Sequence, residues 1–485
     1  MLETNISEIR KQKMAKLKYW RDLNINPYSY SYDPDGSISD ILKRYKEGSI
    51  ETASIAGRIM AVREHGKSCF MDLADWDGVI QIYGKIDELN SSYESFKNLE
   101  VGDIIGVRGR IFTTKRGEVT VLLSTFELLS KSLLPIPEKY HGLKDVEVRY
   151  RKRYLDLIIN PDARRIAIKR IMIIRAIRRF FESRGYLEVE TPVLERIASG
   201  ASAKPFTTHS NALDQDLYLR IALELSLKKL IIAGFPKVYE LSKVFRNEDI
   251  DTRHNPEFTM LEAYEAYTDY SGMMKLSEDL FQSVLSELGM GNRINYQNRE
   301  IDFTAPWRRL SMLDAIKEYD GVEIELDESC RETVAKKLGE HSIPFSNKTP
   351  LGKMVVDLFE AVAQPELRNP TFITDFPKEV SPLTKVHRSN NKLAERFELY
   401  INGMEFANAY SELSDPVEQK ERFTEQARQK IAGVEDTYAI DNDFIEAMEY
   451  GMPPTGGIGF GIDRMIMLLT DTTSIKEVIL FPQMK

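Results

Sequence analysis

The fold of this chain is specified most clearly by the sequence FRNEDIDTRHNPEF, residues 245–258. It contains two arginines, a histidine and two asparagines, and taken alone it could be a surface turn. Two later segments are also unusual. Residues 398–412 contain several acids, and GFGIDR, residues 459–464, could be a helix N-terminus capped by Asp463. Any one of these segments alone would more often be structural than functional, so the inference depends on their combination.

Together, the three segments contain what is needed to bind a triphosphate with Mg²⁺. The guanidinium groups of Arg246 and Arg464 can pair with phosphate oxygens in a bidentate manner. Glu398 and Glu405, seven residues apart, can hold Mg²⁺, which prefers one or two carboxylates plus substrate phosphates. The sequence therefore predicts an ATP site that uses arginines and a bound cation.

The standard phosphate-binding loops do not occur. GKS at residues 66–68 ends like a Walker A loop, but Ala61 stands where the first glycine is required. GIG at residues 457–459 begins like a dinucleotide fingerprint, but Ile462 stands where the third glycine should be. Any nucleotide must therefore be held by other means.

Length and composition limit the class of protein. A chain of 485 residues suggests about two to four domains, and 42% hydrophobic with 29% charged residues is ordinary for a soluble globular protein. No run approaches the ~20 apolar residues of a membrane helix, and the N-terminus resembles neither a signal peptide nor a transit sequence. Cys69 and Cys330 cannot build a disulfide framework or a cysteine-based zinc site. We therefore expect a cytoplasmic protein with no membrane attachment.

Net charge and local charge point in different directions. The net charge of −9 gives no support for nucleic-acid binding. However, residues 10–21 contain six basic residues and no acid, and residues 149–153 contain four basic residues. By themselves, such runs are more often solvated helix faces.

The chain divides into consecutive parts. These are a basic helix and connector at 1–50, a small barrel at 51–133, a linker or hinge at 134–160, and a larger domain at 161–485 with a helical insertion at about 327–367. In the barrel region, turn signals separate short runs rich in β-formers, which predict strands at 55–62, 69–73, 79–83, 104–112 and 118–126. Five strands in so short a segment favour a closed barrel of the oligonucleotide-binding (OB) type.

These segments resemble the motifs of the class II aminoacyl-tRNA synthetases. FRNE with RHNPEF resembles motif 2, and GFGIDR resembles motif 3. A helix with Ile166, Ile173, Ile177 and Phe180 on one face, followed by residues 185–192, resembles the dimerisation element, motif 1. The resemblance implies an α+β chain in which a five-stranded OB-fold barrel precedes a catalytic domain with an antiparallel sheet flanked by helices. It also implies a C2 homodimer formed through residues 165–192.

Within this class, further segments resemble the lysyl-tRNA synthetases. They are GLK at 142–144, RYRKRYLDL at 149–157, GASAKPF at 200–206, YLRIA at 218–222 and PPT at 453–455. The resemblance extends from about Ser54 to the C-terminus. It implies a ligase that uses ATP and Mg²⁺ to activate L-lysine as lysyl-adenylate and then transfers the lysyl group to the 3′ end of tRNA(Lys).

The resemblance also implies roles for individual residues. Arg246 would bind the α-phosphate and Arg464 the γ-phosphate as the catalytic pair. Glu398 and Glu405 would carry Mg²⁺, with Glu405 also near ATP. The other ATP-binding residues would be Glu248 and Phe258 at the adenine, and His254 and Asn255 near the phosphates or ribose. The lysine-binding residues would be Gly200, Glu224, Glu262, Tyr264, Asn408, Tyr410 and Glu412. In the barrel, Phe70 would stack on an anticodon base, Arg63 and Gln81 would read base edges, and Glu118 is a further candidate.

The charge of the amino-acid pocket favours lysine over the substrates of related enzymes. A buried ammonium needs acceptors and opposite charge, and Glu224 and Glu412 match the two acids used for it in this family. Glu262 would bind the α-ammonium and Asn408 the carboxylate. A pocket for aspartate would present cationic groups instead, which argues against an aspartyl- or asparaginyl-tRNA synthetase.

Two competing hypotheses assign the chain to different functional classes. A synthetase-like protein that ligates lysine onto another protein would lack the barrel, which this sequence contains. A non-catalytic RNA-binding scaffold would not need Arg246, Glu398, Glu405 and Arg464, which are all present. Small departures from the family pattern, at Ser199, Ala407, Ala409 and Tyr410, remove no charged catalytic group.

Overall fold

The computed structural model of the protein describes residues 2–46, 51–137, 143, 145–201, 203–431 and 440–484. The chain divides into two compact units, Met1–Lys144 and Asp145–Lys485. Gly142, Lys144 and Ser202, which belong to segments that carry the resemblance, lie outside the described residues, as does part of the predicted linker. No helix within the described ranges is long and apolar enough to cross a membrane.

The described residues of the first unit form five strands, a 21-residue N-terminal helix and several short helices. In chain order the elements are α1 (Leu2–Asp22), α2 (Ile38–Arg44), β1 (Thr52–His65), β2 (Ser68–Ala74), β3 (Val79–Lys85), α3 (Ile86–Leu89), a 3₁₀ turn (Asn90–Ser92), α4 (Tyr93–Lys97), β4 (Ile104–Thr113) and β5 (Val119–Ser130). The strands close into a barrel in the order β1-β2-β3-β5-β4. The predicted five-stranded OB-type barrel is therefore confirmed.

Alternating side chains from these strands fill the barrel. Ile55, Met71 and Ile82 are fully buried, and Trp20 of α1 belongs to the same apolar cluster. Because successive residues of a strand face opposite sides, the same strands present a second row of side chains to the outside of the barrel.

The basic run of α1 is divided between two roles. Lys13 is buried and donates from Nζ to the carbonyl of Val101 at 3.1 Å, and Lys16 lies 3.0 Å from the Glu100 carboxylate. These two lysines hold the helix against the barrel. The basic side chains that remain exposed are Arg10, Lys11, Lys18 and Arg21.

The second unit mixes helices and strands. Its elements are α5 (Val146–Arg151), α6 (Arg153–Ile159), α7 (Pro161–Ser183), β6 (Leu187–Glu188), β7 (Leu194–Glu195), β8 (Thr207–Ser210), β9 (Gln215–Leu219), α8 (Glu224–Ile232), β10 (Lys237–Phe245), β11 (Glu257–Ala266), α9 (Tyr270–Glu287), β12 (Arg293–Tyr296), β13 (Arg299–Asp302), β14 (Arg308–Ser311), α10 (Met312–Asp320), α11 (Arg331–Glu340), α12 (Leu351–Val362), β15 (Thr371–Pro377), β16 (Val386–His387), β17 (Asn390–Ile401), β18 (Met404–Ser411), α13 (Pro416–Ile431), α14 (Asn442–Glu449), β19 (Thr455–Gly461), α15 (Ile462–Thr470) and α16 (Ile475–Val478). Short 3₁₀ turns lie at Glu328–Cys330, Gln364–Glu366 and Lys378–Val380.

One large sheet organises this unit. Among the described residues, nine strands join it in the order β14-β15-β17-β18-β19-β11-β10-β6, with β16 paired to β17. The pairs at its two ends, β14–β15 and β10–β6, are parallel, and the pairs between them are antiparallel. The predicted antiparallel sheet with flanking helices is confirmed, with a parallel pair at each end.

Helix α7 covers the sheet as its apolar pattern predicts. Ile166, Ile173, Ile177 and Phe180 all lie in the main apolar cluster. The helix ends at Ser183, and Gly185 then adopts a φ of 76°, which a glycine takes without strain. The segment 327–367 contains α11 and α12, which pack in an apolar cluster of their own with α10 and the edge of the sheet.

The second basic run is engaged in internal ion pairs. Arg149 lies 2.9 Å from Asp156 and 3.3 Å from Glu477, and buried Arg153 lies 2.9 Å from Asp156. Arg153 also donates to the carbonyl of Leu480 at 3.2 Å. These contacts tie α5 and α6 to the C-terminal segment, so much of this run is structural.

Candidate active site

A cavity of about 460 Å³ lies over the middle of the large sheet in the second unit. It brings together most of the predicted ATP- and lysine-binding residues: Gly200, Glu224, Arg246, Glu248, His254, Asn255, Phe258, Glu262, Tyr264, Glu405, Asn408, Tyr410 and Arg464. Two predicted residues, Glu398 and Glu412, do not line the cavity but are buried close to residues that do.

The register of three neighbouring strands places the central residues side by side. Glu262 on β11 lies opposite Gly459 on β19, and Gly459 in turn lies opposite Asn408 on β18. Asn408 pairs with Glu398 on β17. Because β19 contributes glycines here, no side chain from the middle strand fills the space between Glu262 and Asn408.

Two of the three buried acids already have donors on both carboxylate oxygens. Glu224, the first residue of α8, accepts from the Tyr410 hydroxyl at 2.7 Å on one oxygen and contacts Lys228 with the other. Glu262 accepts from a backbone amide and from the Tyr264 hydroxyl, both at 2.9 Å. Burial, followed by the nearby charge of Glu224, raises the pKa of Glu262 to about 7.

The third acid, Glu412, has an open oxygen. Both of its oxygens are buried and neither meets the geometry of a hydrogen bond with a described residue, but Oε2 forms an ion pair with Lys228, which leaves Oε1 as the oxygen without a partner. A Cβ atom built on Gly457 would lie 1.9 Å from this Oε1 and 2.5 Å from the Tyr264 ring. Oε1 therefore faces the small space that Gly457 keeps open, where it can accept a hydrogen bond from a cation.

Lys228 is a functional candidate that was not predicted. Its side chain is fully buried, and its Nζ contacts the carboxylates of both Glu224 and Glu412. The rings of Tyr410 and Phe444 lie 5.5 and 5.9 Å from the same ammonium. Burial lowers the pKa of Lys228, but the two carboxylates outweigh that effect and raise it.

The two predicted catalytic arginines reach the cavity from different elements. Arg246 follows the last residue of β10, and its guanidinium lies 5.2 Å from the centre of the Phe258 ring. Its Nε donates to the backbone carbonyl of Ile221 at 3.4 Å, a neutral partner that leaves the positive charge of the guanidinium available to an anion. Arg464, in the first turn of α15, donates to the backbone carbonyl of Glu405 at 2.7 Å and lies 3.7 Å from its carboxylate.

The start of α15 is fixed by a buried ion pair. Asp463 lies 2.5 Å from Arg170 of α7 and accepts the backbone amide of Thr259 at 2.7 Å. Arg170 also donates to the Thr259 hydroxyl at 2.9 Å. Asp463 therefore joins α15 to β11 and α7, and these contacts fix the backbone position of the neighbouring Arg464.

The remaining predicted ATP-binding residues lie on the loop before β11. Glu248 accepts a backbone amide at 3.2 Å, and His254 Nδ1 lies 2.8 Å from Asp251 Oδ2. Asn255 donates to a backbone carbonyl at 2.7 Å, whereas its Oδ1 is buried and accepts no hydrogen bond from the described residues. The loop thus holds its own conformation through hydrogen bonds and leaves acceptors for a ligand.

The carboxylates of Glu398 and Glu405 suit a hard cation. They lie on the paired strands β17 and β18, and burial, followed by the charge of Glu405, raises the pKa of Glu398 to about 7. Two carboxylates that repel each other fit Mg²⁺, which takes one or two such ligands and completes its shell with phosphate oxygens and water. In the described part of the chain, no group of three or more His, Cys, Asp or Glu is arranged to hold a metal ion.

Arg396 is a second residue that was not predicted. Its Nε donates to the Asn408 side-chain oxygen at 3.1 Å, and a terminal nitrogen donates to Glu398 at 2.6 Å. One planar guanidinium thus joins a predicted lysine-binding residue to a predicted metal ligand. The available signals were weak: Arg396 alternates with Glu398 on a strand, and Lys228 follows Glu224 by one helical turn in the mostly apolar stretch ELSLKKLII.

The predicted anticodon residues share one face of the barrel in the first unit. Arg63 on β1 lies opposite Phe70 on β2. Gln81 on β3 donates to Glu118 at 3.1 Å, so these two side chains meet at the start of β5. The structure therefore places the four predicted residues on the neighbouring strands β1, β2 and β3 and beside the start of β5.

Two neighbours complete this face and were not predicted. Asp72 holds Arg63 through two hydrogen bonds of 2.9 and 2.5 Å, and Tyr83 stacks on Phe70 with 4.3 Å between ring centroids. Asp72 fixes the direction of the guanidinium, and Tyr83 covers one side of the Phe70 ring.

Comparisons with known proteins agree with this geometry. A family model described as "tRNA synthetases class II (D, K and N)" matches residues 145–485, and one described as "OB-fold nucleic acid binding domain" matches residues 53–129. A lysine–tRNA ligase of Thermoanaerobacter pseudethanolicus is 51% identical over 99% of this chain and 96% of its own. Lysine–tRNA ligases of Clostridium novyi and Carboxydothermus hydrogenoformans are 48% and 49% identical over all of this chain and 96% and 99% of their own.

Proposed function

The chain belongs to the class II tRNA synthetases, within them to the lysine–tRNA ligases, and from this premise we propose which groups of its cavity carry the reaction. The activity is the ATP-dependent activation of L-lysine and its transfer to the 3′ end of tRNA(Lys). The observation that carries this proposal is the buried Glu412 Oε1, which accepts no hydrogen bond from the described residues and lies beside two further buried acids.

Lysine binds through charge at both ends. Its ε-ammonium donates to Glu412 Oε1, with Glu224 as the second acid, and Tyr264 and Tyr410 lie along the alkyl chain. Its α-ammonium is held by Glu262 near Gly200, and its carboxylate by the side-chain amide of Asn408. A substrate with a carboxylate side chain would meet several acids here, so the pocket excludes aspartate.

ATP binds against the arginines. Phe258 stacks on the adenine, Glu248 accepts from its exocyclic amine, and His254 and Asn255 lie near the ribose or phosphates. Arg246 binds the α-phosphate and Arg464 the γ-phosphate. Arg246 stabilises the negative charge that develops at the α-phosphoryl group in the transition state. It is effective because a preorganised donor needs no rearrangement during the reaction.

The reaction proceeds in two steps. A lysine carboxylate oxygen attacks the α-phosphorus, and the bond to the bridging oxygen of pyrophosphate breaks, which yields lysyl-adenylate. A ribose hydroxyl at the 3′ end of tRNA then attacks the lysyl carbonyl, and AMP leaves. The protein contributes chiefly by aligning the reacting groups and neutralising charge.

Mg²⁺ would be held by Glu398 and Glu405. When bound, it would neutralise phosphate charge and help to orient the pyrophosphate. Glu398 accepts hydrogen bonds from Arg396 on one oxygen and from the Tyr400 hydroxyl on the other, and these donors hold its carboxylate in place before ATP arrives.

The barrel binds the anticodon of tRNA(Lys). Phe70 stacks on a base, and Arg63, Gln81 and Glu118 meet base edges. The exposed basic residues of α1 supply contacts to the tRNA backbone, since Lys and Arg side chains pair with phosphates without regard to sequence.

A homodimer forms through α7 and the segment that follows it. Ile171, Met172, Leu187 and Leu194 are large apolar side chains that are exposed in the single chain. An apolar surface of this kind is typical of an interface. Sedimentation equilibrium should give twice the 55.8 kDa mass of one chain, and a monomer mass would contradict this part of the proposal.

The test of the activity is ATP–pyrophosphate exchange with each of the twenty amino acids in the absence of tRNA. We expect exchange with lysine alone. Exchange with aspartate or asparagine would change the substrate but keep the chemistry, and no exchange with any amino acid would refute the proposed function.

A further inference from the structure

Lys228 has an environment that a merely structural lysine does not need. It is fully buried on α8, and its ammonium contacts two carboxylates, Glu224 one helical turn before it and Glu412 just after the end of β18. Two aromatic rings, Tyr410 and Phe444, lie within 6 Å of the same nitrogen. Protein ammonium groups are rarely buried completely unless they are paired, so this cage is built around a permanent positive charge.

The cage overlaps the lysine pocket. Glu224, Tyr410 and Gly457 line the cavity, whereas Lys228 does not, and neither does Glu412, whose Oε1 reaches the space beside Gly457. Lys228 therefore contacts the pocket acids on the side away from the cavity. The substrate and Lys228 would share Glu412, one on each oxygen.

Resting on the function proposed above, we propose that Lys228 is a positioning residue for lysine recognition. Its ammonium fixes Glu412 through Oε2, and this directs Oε1 to the space beside Gly457 where the substrate ε-ammonium binds. It fixes Glu224 through one oxygen while the Tyr410 hydroxyl holds the other. Lys228 does not touch the substrate.

Charge supports the same role. The ionisable groups that face Glu412 are Lys228, Glu224, Glu262, Tyr264 and Tyr410, from α8, β11 and β18. Burial raises the pKa of Glu412 well above its ordinary value, and Lys228 provides the opposing charge that lowers it. Without Lys228, Glu412 would bind a proton more tightly and would offer less negative charge to the substrate.

The experiment compares Lys228→Met with Lys229→Met in ATP–pyrophosphate exchange with L-lysine, between pH 6.5 and 9. Methionine keeps the length and apolar character of the lysine stem but removes the charge. Lys229 is the next residue of the same helix, lies outside the cavity and pairs with Asp443, so it controls for a general effect on α8.

We expect Lys228→Met to raise the KM for lysine about 10- to 100-fold, since truncating one partner of a buried charge pair has effects of this order. The KM for ATP should stay within about threefold of wild type, because the arginines on the phosphate side of the cavity are untouched. The fall of the lysine KM with rising pH should move about 1–3 pH units higher than in wild type, because Glu412 has lost an adjacent positive charge. Lys229→Met should match wild type in every respect.

Several results would overturn the role of Lys228. A lysine KM close to that of wild type would do so, and so would an equal rise in the KM values of lysine and ATP with an unmoved pH profile. If Lys228→Met does not fold, Lys228→Gln, which removes the charge but keeps a hydrogen-bond donor and every pocket acid, is judged by the same measurements. Failure of the wild type to exchange with lysine would refute the proposed function itself, so the two failures are distinguishable.

Discussion

Gly457→Ala tests the position of the lysine pocket with the smallest possible change. Gly457 lies on β19 between Glu412 and Tyr264, and it lines the cavity. An added Cβ would lie 1.9 Å from Glu412 Oε1 and 2.5 Å from Tyr264 Cε1, against an ordinary contact distance of at least 3.4 Å. Either the carboxylate or the β19 backbone must therefore move by about 1.5 Å, since atoms at van der Waals contact tolerate little overlap.

A displacement of this size should strongly reduce the rate of lysine activation. Misplacing a binding group by ~1 Å can reduce a rate by ~10²-fold, which corresponds to about 3 kcal/mol of transition-state stabilisation. We expect kcat/KM for lysine in ATP–pyrophosphate exchange to fall by about this factor. The KM for ATP should change little, because Gly457 pairs with Tyr264 near one end of β11, whereas Arg246 and Arg464 follow the ends of β10 and β19 that lie toward the other end of β11.

Gly456→Ala is the matched control because it faces the other side of the same strand. Its Cβ would meet the carbonyl of Asp269 and a methyl of Thr268, both at 3.0 Å, outside the cavity. It should lower the melting temperature and leave the lysine KM within about threefold of wild type. The proposed position of the pocket would be wrong if Gly457→Ala kept the wild-type KM for lysine. It would also be wrong if Gly456→Ala and Gly457→Ala raised this KM equally.

Three further predictions address other parts of the molecule. Arg464→Ala should reduce lysine-dependent exchange by ~10²–10³-fold while filter binding of tRNA(Lys) is unchanged; surviving exchange would exclude Arg464 as a phosphate ligand. Phe70→Ala should weaken tRNA(Lys) binding by ~1–3 kcal/mol and leave exchange without tRNA unaffected; unaltered tRNA binding would exclude base stacking at this residue. Burial raises the pKa of Glu195 from 4.5 to about 8, so its ionised form destabilises the folded protein increasingly as the pH rises from 4.5 to 8. Glu195→Gln should therefore raise the melting temperature more at pH 8.5 than at pH 5.5, and calorimetry that gave equal shifts would contradict this.

The barrel was predictable from sequence because its signals are local. The turn between β2 and β3 illustrates this: Asp75 accepts the backbone amides of Asp77 and Gly78 through one oxygen, at 3.0 and 2.8 Å. An aspartate two to three residues before a glycine favours such a turn through contacts that are local in the chain. The alternation of Ile55 and its neighbours then fixes which face is buried.

The short strands of the second unit were harder to predict from the sequence. β6, β7 and β16 have two residues each, too few to show a hydrophobic period. β6 exists because Leu187 and Glu188 pair with Val238 and Tyr239 of β10, about fifty residues away in the chain. No local pattern encodes such a pairing.

The basic runs show that sequence alone does not reveal which charged residues are paired in the fold. The sequence shows six basic residues in α1, but Glu100, which pairs with Lys16, lies beyond β3 in the chain. Likewise, Glu477 lies more than three hundred residues after Arg149, which it contacts. A count of charges along the chain therefore overstates the basic surface that remains free for RNA.

In the active site, the family resemblance identified the pocket acids, and the structure adds how each of them is hydrogen-bonded. The resemblance assigned Glu224 and Glu412 to the substrate ε-ammonium and Glu262 to its α-ammonium. Geometry makes them unequal, because Glu224 and Glu262 each have donors on both oxygens, whereas Glu412 keeps one oxygen open. The difference arises because Glu224 has the Tyr410 hydroxyl as a second donor beside Lys228, whereas Glu412 has, among the described residues, Lys228 alone. Lys228 holds two acids of the pocket and leaves one carboxylate oxygen, Glu412 Oε1, for the ammonium of the substrate. Selectivity for lysine therefore depends on which carboxylate oxygens already have a donor within the protein, and not on the number of acids in the pocket.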